Sequence, residues 1–174
     1  MDVKEEHEVR IILHHPDDVL ACARNTQEYT LVDTYFLPNF FCDFWRPETR
    51  NLRLRKFGDG EAEIILSVPR FRGFIKYGKK YFLARGKETL LAEAIREMGF
   101  REAFQIRRKH GYFLDYFKWN IALEEIDGLG WMIDADVECE ADANFLLEQL
   151  GKNVLEILRI PLPAYYCKTF NIQI

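Results

Sequence analysis

Charged and apolar side chains alternate along the opening segment, with Glu6, Glu8 and Arg10 set against Val9, Ile11 and Leu13. A period of two predicts a β-strand, because successive side chains point to opposite faces of the pleat. The same pattern returns three times with different signs. Arg53 and Arg55 alternate with Leu52 and Leu54, Arg107 and Lys109 share a side opposite Ile106, and Asp134, Asp136, Glu138 and Glu140 alternate with Ile133, Ala135, Val137 and Cys139. Strand patterns also cover 28–37, a hairpin 51–68 turning at Gly58–Gly60, a second hairpin 74–83 around Gly78, and the segments 101–109, 112–119 and 120–126. Helical periodicity predicts a short helix within 15–25, a helix over 87–99 with Leu90, Leu91, Ala94, Ile95 and Met98 on one face, and a long helix over 142–158 interrupted near Gly151.

Many strands, about three helices and no strict β-α alternation predict an α+β fold with a mainly antiparallel sheet. Strand by strand, the charged faces read first as the wet side of such a sheet. Two features oppose that reading. Four like charges at successive i, i+2 positions repel one another, and acidic strands stand first and last with basic strands between. In a closed barrel the parity can invert, so that the charges line a lumen while Val9, Ile11, Leu13, Ile133 and Val137 lie under the helices.

The bulk numbers narrow the partners. One domain over 1–174 suffices for 174 residues with no linker or repeat. A net charge of −4 disfavours a broad nucleic-acid footprint, so an anion must be met by locally clustered Arg and Lys. No apolar run is long enough to cross a bilayer, the first residues lack the apolar core of a signal peptide, and four scattered cysteines read as buried thiols of a reducing, cytoplasmic compartment. Lys76, Lys79 and Lys80 read as solvated hairpin charges. The aromatic run Asn39–Trp45 reads first as satellite core under a long connection; covering a barrel mouth, a homodimer contact and ring stacking are the alternatives.

The ordered segments EHEVR, DTYF, LRLR, IDGLGWMIDAD and KTF, spread from Glu6 to about Phe170, resemble the CYTH superfamily, or triphosphate tunnel metalloenzymes. The resemblance implies a closed eight-stranded antiparallel barrel with outer helices, and a small-molecule triphosphate as ligand. It implies Mg²⁺ or Mn²⁺ held among Glu6, Glu8, Asp134, Asp136 and Glu138. It places phosphate-gripping groups at Arg10, Arg53, Arg55, Arg107, Lys109 and Lys168, with Arg10 and Lys109 nearest the chemistry. Hydrolysis of inorganic, thiamine or nucleoside triphosphate is the first expectation, cyclisation of ATP to cyclic AMP and pyrophosphate the second, and binding without turnover the third. Two departures from the family pattern stand out: Arg10 occupies a usual lysine position, and the strand around Val68–Arg70 lacks the family's lysine.

Overall fold

The structure, a computed structural model, describes residues 2–174. Its strands are β1 (Asp2–Leu13), β2 (Ala23–Pro38), β3 (Asn51–Phe57), β4 (Glu61–Arg72), β5 (Ile75–Lys87), β6 (Phe100–Tyr116), β7 (Trp119–Ile126), β8 (Gly130–Asp136) and β9 (Val154–Ile157). The helices are α1 (Asp17–Ala21), α2 (Glu88–Glu97), α3 (Glu140–Leu150) and α4 (Leu162–Thr169). The order β5-β4-β3-β2-β6-β7-β8-β1 is closed by antiparallel pairing of β1 with β5, giving an eight-stranded barrel. Strand β9 adds to the far end of β1 outside that circuit. Long β1 serves three partners in turn: β5 over Asp2–Glu8, β8 over Glu8–Ile12 and β9 over Ile11–Leu13.

The inverted parity is what the packing shows. Val9, Ile11, Ile133 and Val137 are buried in an outer cluster with Ala143, Leu146 and Leu150 of α3. Leu52, Leu54 and Ile64 form a second outer cluster with Ala92 and Ile95 of α2. Each Val, Leu or Ile among them contributes about 1.5–3 kcal/mol on leaving water, and together these clusters fix which strand face looks inward. The interior of the barrel is then left to the other parity, which is charged toward one end and apolar toward the other.

Several local expectations are corrected. The segment around Gly78 is one continuous strand, β5, and not a hairpin; the reversal occurs at Gly73, at φ 61°. Gly78 has φ 143°, and a Cβ there would fall 2.2 Å from the Val68 carbonyl oxygen, so close approach of β4 requires glycine. The two segments 101–109 and 112–119 are mostly one 17-residue strand, β6. The expected helix over 142–158 ends at Leu150, because Gly151 at φ 54° breaks it, and Val154–Ile157 pairs with β1 as a strand. The expected short helix within 15–25 is α1, Asp17–Ala21, and β2 already begins at Ala23. On α2 the buried face is Ala92 and Ile95, whereas Leu90 and Met98 are exposed. Among the cysteines, Cys167 is buried, Cys42 is half-buried, and Cys22 and Cys139 are exposed. The aromatic run is not satellite core throughout: Trp45 packs edge-on against Phe100, but Phe40, Phe41 and Phe44 are exposed. No helix among the described residues is long and apolar enough to cross a membrane.

Candidate active site

Because β1 closes the circuit between β8 and β5, its inward residues mark the levels of the lumen against both neighbours. Glu8 lies opposite Asp136 on β8, and Arg10 opposite Asp134. On the other side, Glu8 lies opposite Lys76 and Glu6 opposite Gly78 of β5. The Lys76 ammonium donates to Glu6 Oε1 at 3.0 Å and lies 3.5 Å from Glu8 Oε2; Lys80 reaches Glu6 Oε1 at 2.8 Å. Across the barrel, Asp33 of β2 is fully buried beneath three guanidiniums. It accepts two hydrogen bonds from Arg55, at 2.8 and 2.9 Å, and one from Arg108 at 2.7 Å, while Arg53 Nε stands 3.5 Å away. Arg108 also meets Glu124 of β7 at 3.3 Å, Tyr29 donates to the other oxygen of that carboxylate at 2.7 Å, and Arg10 pairs with Asp134 at 2.9 Å.

Six cations (Arg10, Arg53, Arg55, Lys76, Lys80, Arg108) thus face five carboxylates (Glu6, Glu8, Asp33, Glu124, Asp134) inside the barrel. Buried charges must be paired to persist, and this near-balance satisfies the rule while leaving one positive charge over. The pairing moves the protonation equilibria. Burial alone would raise Glu6 and Glu8, but Lys76 and Lys80 hold both below the ordinary carboxylate range. Burial likewise opposes ionisation of Asp33, yet Arg55 and Arg108 keep its carboxylate well below its usual value. Asp134 goes the other way, pushed up to about 6 because burial outweighs the pull of Arg10. Lys80 is lowered to about 8 by burial and by the neighbouring Arg53 charge, against the attraction of Glu8 and Glu6. Buried polar atoms without a hydrogen-bond partner include Glu6 Oε2, Arg10 Nε and Arg53 Nε.

A cavity of about 380 Å³ opens at the mouth, lined among others by Glu8, Arg10, Arg55, Lys80, Arg108 and Asp134. The structure therefore brings together Glu6, Glu8, Arg10, Arg53, Arg55 and Asp134 of the expected set. Asp136 sits at the mouth rim, where the Lys4 ammonium lies 3.4 Å from it and 3.5 Å from Glu8. Four expected residues lie elsewhere. Arg107 is exposed on the outer side of β6, and Lys109 is half-exposed beside Glu125 and Asp127. Glu138 lies past the end of β8, and Lys168 lines a surface groove beside α4.

The lumen groups that sequence reasoning missed are Asp33, Lys76, Lys80, Arg108 and Glu124. Lys76 and Lys80 were legible in principle, since a spacing of four in a continuous strand puts both on one face. Lys80 stands opposite Ser67 of β4, so β5 supplies a cation beside the strand that lacks the expected lysine. Arg108 and not Arg107 faces inward because β6 pairs in regular register with β2 from Phe104 to Arg108, and Ile106, two positions away on the same face, belongs to the inner apolar cluster with Ile12, Tyr35, Ile126 and Met132 and not to the outer face.

The carboxylates differ in their fit to a divalent ion. Among the described residues no three or more His, Cys, Asp or Glu side chains are grouped to hold a metal, and Glu6 is taken up by two lysines. Mg²⁺, however, is commonly held by one or two carboxylates together with substrate phosphates. Glu8, Asp134 and Asp136 all line the mouth cavity, a donor set of the kind that holds such an ion only together with phosphate oxygens.

No protein-family model and no curated protein matches the sequence. Solved structures do match. PH1819 from Pyrococcus horikoshii OT3 superposes with a TM-score of 0.70 at 17% identity, covering 94% of this chain and 98% of that one. HpAC1 from Hippeastrum, examined as an adenylyl cyclase and found to have a dominant triphosphatase activity, matches at 0.66 and 11% identity over 98% of both chains. A chain of the Schizosaccharomyces pombe Mediator head module matches at 0.60 and 11% identity, covering 88% of this chain and 98% of that one. The chain thus has the closed tunnel-barrel fold that the CYTH resemblance implied.

Proposed function

We propose that the barrel binds the polyphosphate arm of a small-molecule triphosphate, together with a divalent cation, and hydrolyses it. The observation that carries this reading is the convergence of six cations from four strands on one enclosed lumen with a mouth cavity of about 380 Å³. Phosphoryl transfer asks a protein mainly for positioning and charge neutralisation. Arg10, Arg55, Lys80 and Arg108 face the cavity and grip phosphate oxygens, with guanidinium forks able to engage two at once. Glu8, Asp134 and Asp136 would hold Mg²⁺ or Mn²⁺, which when bound supplies further neutralisation of phosphate charge. Water attacks the terminal phosphorus as the bridging oxygen departs with the remaining diphosphate, and the lumen cations stabilise both ends of that displacement. The dominant triphosphatase activity of the similarly folded HpAC1 supports hydrolysis ahead of cyclisation.

A second reading, a triphosphate binder without turnover, is favoured by one observation: every lumen cation already has a carboxylate within the barrel. Incubation with tripolyphosphate, thiamine triphosphate or ATP and Mg²⁺ or Mn²⁺ separates the readings. Release of orthophosphate supports hydrolysis, and cyclic AMP with pyrophosphate supports cyclisation. Thermal stabilisation without turnover supports the binder, and no response to any polyanion refutes all three.

A further inference from the structure

Strand parity splits the basic and aromatic segment FRGFIKYGKK between two faces of the barrel wall. Lys76 and Lys80 both reach Glu6 Oε1 in the lumen, so Tyr77, Lys79 and Tyr81 of β5 stand on the outside. There, with Arg70 of β4 and Arg50 just ahead of β3, they line a hollow of about 710 Å³ to which no helix contributes a residue. The groups in this hollow lack partners. Arg50, Arg70, Lys79 and the adjacent Arg72 form no salt bridge among the described residues, whereas Lys56, Arg85 and Arg96, elsewhere on the surface, each hold a glutamate. Arg50 stacks on Phe44, 3.3 Å from the ring centroid, and its buried Nε has no hydrogen-bond partner. Of the eight tyrosines, only Tyr77 and Tyr81 have neither a hydroxyl hydrogen bond nor an aromatic ring against them among the described residues. Arg72 alone approaches Tyr77, at 5.9 Å from the ring.

We infer that this outer face binds a short stretch of single-stranded nucleic acid. Such a chain alternates phosphates with flat rings, and the hollow offers cations and unstacked tyrosines in alternation along one strand. Tyr77 and Tyr81 are four residues apart, about 13 Å along β5, which is about four nucleotides at a rise of roughly 3.4 Å each. Lys79 stands between them, with Arg70 opposite Tyr77 on β4. Of the acids lining the hollow, Glu6 is held by the lumen lysines, and Glu5 alone opposes three cations. An acidic peptide would satisfy those cations and leave the rings idle, and a duplex hides the base faces that the rings would meet. The patch is local, as a chain of net charge −4 requires. It lies on the opposite side of the wall from the lumen and acts independently of it.

The test is fluorescence anisotropy of the whole chain with labelled ten-nucleotide strands of uridine and of thymidine, carrying 5′-hydroxyl ends so that no terminal phosphate is offered to the lumen. Micromolar binding is expected, with the logarithm of affinity falling against that of salt with a slope of about −2, as three phosphate contacts give. The tighter strand identifies RNA or DNA as the source, and either supports the inference. Tyr81→Ala and Lys79→Glu should each weaken binding by at least about 5-fold. The double variant Arg107→Glu, Lys109→Glu, elsewhere on the outer wall, should change it less than about twofold. Circular dichroism melts verify folding, and Lys79→Glu, at an exposed position, carries the test if Tyr81→Ala unfolds. The inference is overturned if neither strand binds, if a duplex binds as tightly, or if the Arg107 and Lys109 variant loses as much. Displacement by polyglutamate as readily as by unlabelled strand would reassign the face to an acidic protein. Self-association of the chain that Lys79→Glu abolishes would reassign it to a second copy, and either result overturns the nucleic-acid reading.

Discussion

Asp33 gathers three guanidiniums at the centre of the barrel, and Asp33→Asn removes its charge while keeping its shape and one acceptor oxygen. In the folded protein this carboxylate is fully buried, with Arg55 at 2.8 and 2.9 Å, Arg108 at 2.7 Å and Arg53 at 3.5 Å. Without it, three cations face one another with Glu124 as the nearest remaining counter-charge, 3.3 Å from Arg108. Breaking a buried pair by removing one partner costs about 3–5 kcal/mol. In a chain of this size each kcal/mol lowers Tm by about 2–4 °C, so a fall of about 6–20 °C is expected. Circular dichroism melts at neutral pH measure it. A second reading comes from repeating the melts with tripolyphosphate and Mg²⁺. An incoming anion supplies the charge that Asp33 no longer provides, so it should raise the Tm of the variant more than that of the wild type. A Tm within about 2 °C of wild type would falsify the assignment of Asp33 as the anchor, and equal stabilisation by the anion would break its link to the ligand.

Three further expectations follow from the same geometry. Arg108→Ala should weaken tripolyphosphate binding by about 100-fold, as loss of a desolvated bidentate contact does, whereas Arg107→Ala and Lys109→Ala should leave it unchanged; titration calorimetry on the three variants decides, and the reverse ranking would place the ligand outside the barrel. Glu6, Glu8, Asp33 and Glu124 are all held below their ordinary values, so the unfolded chain takes up more protons than the native one as pH falls below about 4.5 and stability drops. Asp134, raised to about 6, acts in the opposite sense between pH 7 and 5. Urea midpoints should therefore hold level or rise slightly from pH 7 to 5 and then fall steeply; a steady decline from neutrality would contradict the assigned pairings. Lys80 loses its proton above about 8, so tripolyphosphate affinity should decline as pH rises past that value, and Lys80→Arg should remove the decline; the same decline in the arginine variant would assign it to another group.

The barrel was readable where one strand face carries only charge and the other only apolar side chains. Glu6, Glu8 and Arg10 against Val9 and Ile11, and Arg53 and Arg55 against Leu52 and Leu54, leave just one inversion to make, and wide apolar helix faces in need of a partner argue for making it. Reading failed where parity is ambiguous or interrupted. Arg107, Arg108 and Lys109 offer a cation to either face, and the choice turns on Ile106, which reads as an outer-face residue but lies inward with Ile12, Tyr35, Ile126 and Met132 and carries Arg108 to the lumen side. Lys76 and Lys80 were hidden by Gly78, which resembles a turn but serves a close approach between strands. Asp33 is a single acid in a run of β-formers, and its importance arises from three strands that meet only in space. Glu138 falls away because β8 ends at Asp136, and Lys168 because it lies in the last turn of α4, whose first residue, Leu162, is the one packed against the inner cluster.

The location of bound tripolyphosphate tests the central claim most directly. A crystal structure with tripolyphosphate and Mg²⁺ should show the anion in the mouth cavity, with oxygens within hydrogen-bond distance of Arg10, Arg55, Lys80 and Arg108. Density for it on the outer face beside Arg107 and Lys109, or along the groove that includes Lys168, with the lumen pairs intact, would contradict the account.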